Sequence, residues 1–334
     1  MNTPNAETRH LKTARRNRLL SAAAAILILS VVYMVVVQFT MNAVALFGYS
    51  VLVLPSILLG LAGSAFAFWY WESLSFARGA LTACVACVVA LTGFLMLGLE
   101  GLLTLLMAAP LQFGLTIAGS GLAYAIGRWY RAHGQTALVS LVLLLCVPLF
   151  AGMEARLHSG PVLRTAQTEV YVDAPIELVW DVIAQPTDIP HPGDWLFQWG
   201  VGYPKRIHVV GEGVGSWRLD DFPTGTYHMR VTNWDPPERM GFGVVEQPVP
   251  LTNLNPFHGE IDRLHLAQGV SSNQGEFYLR ESGDGVIVRA TSWYHNGMFP
   301  NFYWGGLIDQ IVSRIHLVIL NDIKEKAEVT AVEG

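Results

Sequence analysis

Hydrophobic residues follow one rhythm in the first half of this chain and another in the second. From residue 19 to residue 153 they run almost unbroken, in the stretches 19–40, 45–69, 80–98, 102–126 and 136–153. A helix of about 20 residues crosses the roughly 30 Å of hydrocarbon in a bilayer, so each stretch predicts a spanning helix. The third and fourth are separated by Leu99-Glu100-Gly101, which predicts a hairpin with Glu100 at the water interface.

Past residue 164 apolar and polar positions alternate, as they do in half-buried strands. The spacing predicts a strand over 165–172, then a helix over 176–184 opened by Asp173-Ala174-Pro175. Proline suits a first helical turn, and Glu177 favours the positive end of the helix dipole. Residues 186–202, rich in Pro, Gly and Trp, read as a loop. Strands are predicted over 205–210, 216–222, 226–234, 239–245, 276–280 and 286–294. Their links are short and turn-forming, so they must pair antiparallel, because a parallel pair needs a long crossover. The chain closes with a helix over 301–327. Its stripe of Ile308, Ile311, Val312, Ile315, Ile319 and Ile323 marks a face packed along a sheet.

Composition sharpens the division. The 334 residues are 52% hydrophobic and 14% charged, and between 19 and 153 the only formal charges are Glu72, Arg78, Glu100, Arg128 and Arg131. From Glu154 the charge density is that of an ordinary soluble domain. The expected organisation is a basic tail (1–18), a transmembrane helical region (19–153), a connector (154–164) and an α+β domain (165–330). The first apolar segment is longer than the core of a signal peptide and is expected to be retained. Arg9, Lys12, Arg15, Arg16 and Arg18 precede it, and Arg78, Arg128 and Arg131 flank later turns on the same side. That places the N-terminus in the cytoplasm and, with five crossings, the C-terminal domain outside the cytoplasmic membrane. Losing or gaining one helix would reverse this. The net charge of −5 offers no basic surface for nucleic acid.

All three cysteines lie in the apolar half, so the C-terminal half folds without disulfides. Cys84 and Cys87 form a C-x-x-C pair inside a run of Ala, Val and Leu, where they are expected to be packing residues. Gly119, Ala123 and Gly127 are spaced four apart and predict a close-packing helix face.

The segment TEVYVDAPIELVWDVI (168–183) resembles the opening of START-like helix-grip proteins, the SRPBCC superfamily that groups polyketide cyclases/dehydrases with lipid-transfer proteins. GEGVGSWRLDDF (211–222), WDPPERMGFGV (234–244) and TSWYHN (291–296) ahead of the last helix extend the likeness over residues 164–328. The resemblance implies a curved antiparallel sheet gripping a long C-terminal helix around a hydrophobic-ligand cavity. It carries over no catalytic residue and implies no cofactor.

Such a sheet leaves part of its inner face uncovered by the helix, the usual setting of an apolar ligand site. In the strands, alternation separates Trp217 and Leu219 from Arg218 and Asp220, and Tyr227, Met229 and Val231 from His228 and Arg230. The apolar sets are expected to face the helix. Candidate ligand-binding residues on the strands are Trp217, Leu219, Tyr227, Met229, Phe242, Phe277 and Trp293. The last helix and its entry add Tyr303 and Ile311. Each is equally readable as ordinary core. Polar candidates are His258, His265, His295, His316 and Glu276, of which His316, His295 and Glu276 are the only visible acid–base groups. No pair of them has ligand spacing within one element, so no metal is expected. The irregular stretch 251–274 is expected to border the cavity mouth.

Three functions fit this pattern: membrane-anchored binding of a lipid or other hydrophobic small molecule, a cyclase/dehydrase-type enzyme acting on such a molecule, and a structural or sensory protein with a filled core. The oligomeric state is left open.

Overall fold

The computed structural model describes residues 4–44, 49–133, 160–261 and 269–333. The chain divides into two compact units, one of helices and one built around a sheet.

The helical unit contains α1 (Pro4–Val44), α2 (Tyr49–Tyr70), α3 (Phe76–Met96) and α4 (Leu102–His133). Within them Arg16–Met41, Val51–Tyr70, Phe76–Met96 and Leu102–Arg131 are four stretches long and apolar enough to cross a membrane. The fifth stretch, 136–153, lies outside the described residues. Helix α3 starts earlier than its apolar run because the Ser75 side chain caps it, accepting from the Arg78 backbone N–H. The break between α3 and α4 falls at the expected place. Glu100 at this turn is buried, with its carboxylate accepting from the Gly101 backbone N–H. The small-residue face of α4 meets α2 backbone to backbone: a Cβ on Gly119 would lie 2.1 Å from the Ile57 carbonyl oxygen. Ser120 Oγ donates to the Gly60 carbonyl at 3.3 Å beside it. Cys84 and Cys87 are free thiols on α3, the second of them buried.

The second unit opens with β1 (Val162–Val172) and α5 (Ile176–Ala184). Pro175 itself takes the N-cap position, one residue later than the sequence suggests, and makes no side-chain cap bond. The stretch read as a loop holds a short strand, β2 (Thr187–Asp188), and one helical turn, α6 (Trp195–Gln198). There follow β3 (Arg206–Val210), β4 (Trp217–Phe222), β5 (Gly225–Asp235) and β6 (Arg239–Glu246). A small hairpin, β7 (Leu254–Asn255) with β8 (Gly259–Glu260), precedes β9 (Val270–Ser282) and β10 (Gly285–Asn296). Strand β9 begins at Val270, so Val270, Ser271, Ser272 and Gln274, expected to be loop, are paired with β10, with Asn273 skipped at a bulge. Helix α7 (Asn301–Glu333) closes the chain.

Eight strands form one sheet in the order β1-β10-β9-β6-β5-β4-β3-β2, every neighbour antiparallel. This is the expected helix-grip arrangement, a curled sheet with a long helix. Residues opposite each other across antiparallel strands share a face. The register therefore assigns Val170, Val172, Val286, Val288, Met240, Phe277 and Leu279 to one inward face. They form a buried cluster with Val179, Trp180 and Ile183 of α5 and with Ile319, Leu320 and Ile323 of α7. Trp180 of α5 meets Trp234 of β5 edge to face, ring centroids 5.3 Å apart. The tight core thus sits where α5 and the second half of α7 meet β1, β10 and β9.

Candidate ligand site

Away from that core the inward face changes character. Inward-facing Tyr227, Phe242 and Val244 are only half-buried. Along α7, Ile308 and Ile319 of the inward stripe are sealed, while Ile311, Val312 and Ile315 between them keep partial exposure. Gly275, opposite Phe242, helps to shape this region. A Cβ there would fall 2.4 Å from the Phe242 ring, so the ring lies across β9 towards Phe277, centroids 6.0 Å apart.

Three polar groups interrupt the inward face. At the start of α7, Arg164 of β1 is paired with Asp309, and its Nη1 donates to Asn301 Oδ1 at 3.2 Å. Tyr294 of β10 donates its hydroxyl to Asp309 at 2.5 Å. Burial alone would raise the Asp309 carboxyl, but the bonds from Arg164 and Tyr294 hold it below the usual carboxylate range. Gly305 makes room for this cluster, since a Cβ there would lie 2.5 Å from the Arg164 guanidinium carbon.

Midway along α7, the buried His316 places Nε2 2.8 Å from Ser292 Oγ and Nδ1 3.3 Å from Thr168 Oγ1. Burial pushes its pKa down to about 4, so the imidazole is neutral at physiological pH. It ties the helix to β10 and β1.

The third group corrects a sequence expectation. On β4 it is Arg218 and Asp220 that point inward, while Trp217 and Leu219 face out. The neighbouring strands decide this: Asp220 lies between Ile207 and Tyr227, and Arg218 between Val209 and Met229. Burying the apolar residues of β3 and β5 carries the charged pair in with them, because a one-residue slip would flip every side chain. Arg218 Nε lies 3.0 Å from Asp220 Oδ1, with the side chains 2% and 8% exposed. The guanidinium carbon is 5.2 Å from the ring centroids of both Phe242 and Phe277, within cation–π reach. Burial pushes the Asp220 carboxyl up, and the neighbouring Arg218 partly offsets this.

The remaining candidates fall into separate places. Tyr227, Met229, Phe242 and Phe277 share the inward face, and Ile311 lies at the edge of the α7 stripe. Trp217, Leu219, Trp293, His295 and Glu276 are on the outer face, contrary to their expected place in a cavity. There Trp217 carries the Arg230 guanidinium 3.6 Å above its ring, and Glu276 is paired with Arg239. Tyr303 packs edge-on against Trp304, which takes the buried position. His258 is exposed in the β7–β8 turn, and His265 lies outside the described residues. Sequence reading passed over the Arg218–Asp220 pair, the Arg164 cluster and the two hydroxyls on His316. Arg218 and Asp220 carry a signal, polar positions alternating with Trp217 and Leu219, whereas Thr168 stands between Gln167 and Glu169 with no such mark.

An open groove of about 800 Å³ runs between residues 189–197 and one flank of α7. Pro190, Pro192, Phe197, Leu317 and Val318 give it apolar walls, and an ion pair between Asp194 and Arg314 crosses it.

No protein-family model matches the chain, and no curated protein does. Among solved structures, truncated norcoclaurine synthase from Thalictrum flavum matches with 16% identity and a TM-score of 0.33, over 50% of this chain and 94% of that one. The Zhui aromatase/cyclase from a Streptomyces species matches with 16% identity and a TM-score of 0.31, over 50% and 94%. The Aha1 protein of Colwellia psychrerythraea matches with 15% identity and a TM-score of 0.29, over 50% and 97%. The fold described here stands on the strand order and register given above.

Proposed function

We propose that this chain is a membrane-tethered START-like protein whose sheet unit binds a lipid or other hydrophobic small molecule between α7 and the inward faces of β4, β5 and β6. One observation carries the reading. The inward stripe of α7 is sealed at Ile308 and Ile319 but left partly open at Ile311, Val312 and Ile315 between them. A core filled by its own side chains would close the middle of the stripe first, because interiors pack to crystal-like density. Tyr227, Phe242 and Val244 on the opposing strands are likewise half-buried, and they are the mostly apolar lining that a small-molecule site needs. The groove beside residues 189–197 runs along a flank of α7, where Asp309 and Val318 line it.

Four apolar helices in the same chain favour a tether that keeps the site near a bilayer, where such ligands are concentrated. The basic flanks favour a cytoplasmic N-terminus in the cytoplasmic membrane, with the sheet unit on the outer side if 136–153 is a fifth span. A membrane-impermeant protease that cuts the sheet unit in intact spheroplasts supports this side, and protection reverses it.

Of the acid–base candidates His316, His295 and Glu276 for the cyclase/dehydrase alternative, His316 is the one on the inward face, neutral and engaged by two hydroxyls. Native mass spectrometry of the full-length protein, exchanged into a detergent released in the gas phase, tests the binding reading. The expected spectrum carries a bound mass that organic extraction identifies as an apolar molecule. A spectrum of bare protein that also takes up no added hexadecane or hexadecanol would overturn it.

A further inference from the structure

Arginine presents five N–H donors in a rigid fork, and a buried donor without an acceptor is costly. In Arg218, Nε lies 3.0 Å from Asp220 Oδ1 and Nη2 donates to Oδ2 at 3.3 Å. Arg218 Nε and Asp220 Oδ1 are both buried and, although 3.0 Å apart, neither has a hydrogen-bond partner among the described residues. The guanidinium face is taken by Phe242 and Phe277, so the unpartnered Nε and Oδ1 sit in otherwise apolar surroundings. The pair is on the inward face of β4, level with half-buried Tyr227 and with Met229.

We propose that the Arg218–Asp220 pair holds the polar end of the bound molecule, and that this end is an uncharged hydrogen-bond acceptor, a hydroxyl or carbonyl heading an apolar chain. The assignment rests on the binding reading above and narrows its ligand class. Arg218 and Asp220 cancel each other's charge. An anionic head, such as a carboxylate or phosphate, or a cationic one would bring in a buried charge with no partner, and such charges are strongly disfavoured. A neutral oxygen accepts from Nε and leaves the Nη2–Oδ2 bond in place, and a hydroxyl can also donate to Asp220 Oδ1. The rest of the molecule lies against Phe242, Val244, Val312 and Ile315.

The test uses full-length protein in detergent and probes of one chain length: hexadecane, hexadecanol, methyl palmitate, palmitate and hexadecylammonium. Binding is read by native mass spectrometry in competition. Hexadecanol and methyl palmitate are expected to bind about tenfold or more tightly than the other three, the worth of one hydrogen bond to a charged donor. The paired substitution Arg218→Met with Asp220→Leu leaves no orphaned charge. It is expected to keep hexadecane binding and to abolish the preference for the oxygen-bearing probes. If hexadecane binds wild-type protein as well as hexadecanol does, water alone satisfies Arg218; this inference then fails while the apolar site stands. Preference for palmitate overturns it in favour of an anion site, and a preference that survives the paired substitution removes the pair from the site. Failure of every probe to bind overturns both this inference and the reading beneath it.

Discussion

His316 Nε2 and Ser292 Oγ stand 2.8 Å apart, joining the middle of the closing helix to the strand β10 beneath it. The bond has a pH consequence. Burial lowers the folded-state pKa of His316 from 6.5 to about 4, whereas the unfolded chain takes up its proton near 6.5. Between those values the unfolded state binds more protons, so stability is full above pH 6.5 and falls as the pH drops towards 4. The loss amounts to roughly 3 kcal/mol at most. Protection factors in β10 and α7, the intrinsic exchange rate at each pH divided by the observed one, should fall across that window, and His316→Gln should flatten the dependence. Unchanged protection factors between pH 6.5 and 4 in the native protein would contradict it.

Substitutions of the buried pair on β4 should be strongly non-additive. Arg218→Met alone leaves the Asp220 carboxyl without its partner, and Asp220→Leu alone strands a guanidinium; each should cost about 3–5 kcal/mol. The double substitution should recover most of that loss, because two apolar side chains replace two charges. Thermal unfolding of the three variants measures the coupling, and simple additivity would show that the pair does not act as a unit.

Gly305→Ala should displace Arg164 from Asp309. The added methyl would fall 2.5 Å from the guanidinium carbon, and the backbone behind it cannot retreat without lifting α7. A loss of up to about 1 kcal/mol is expected, because the flexible guanidinium can swing aside and gives up only a partly exposed ion pair. Adding Arg164→Ala should remove the clash, so the second substitution should cost less in the Gly305→Ala background than in the wild type. Equal costs in both backgrounds would count against the steric cause.

Val312→Trp should fill the open part of the α7 stripe with little harm to the fold, since the side chain is only half-buried. Bound ligand in native mass spectra should drop about tenfold or more, equivalent to losing about 1.4 kcal/mol of binding. Undiminished occupancy with intact folding would place the ligand elsewhere.

Much of the architecture is legible in local pattern. Unbroken apolar runs mark the four membrane-length helices, and helix α5 falls on the predicted residues 176–184. Most strands appear within a few residues of where alternation puts them. Short elements and ragged ends were harder to read. Neither β2 nor α6 has enough residues for a period, and the start of β9 carries Ser271, Ser272, Asn273 and Gln274, which look like loop until β10 pairs with the stretch.

What the sequence determined by itself is the list of elements and the two-faced rhythm of each strand, because backbone geometry fixes a period of 2 wherever a strand forms. Which face turns inward was decided only by tertiary structure. WRLDDF in isolation favours burying Trp217 and Leu219, but β4 is locked between β3 and β5. There the burial of Ile207, Met229 and Val231 outweighs the preference of a single strand. The same shared register turns Trp293, His295 and Glu276 outward and brings Arg218, Asp220, Ser292 and Thr168 inside. Face selection is a property of the whole sheet, since hydrogen-bonded neighbours must shift together or not at all.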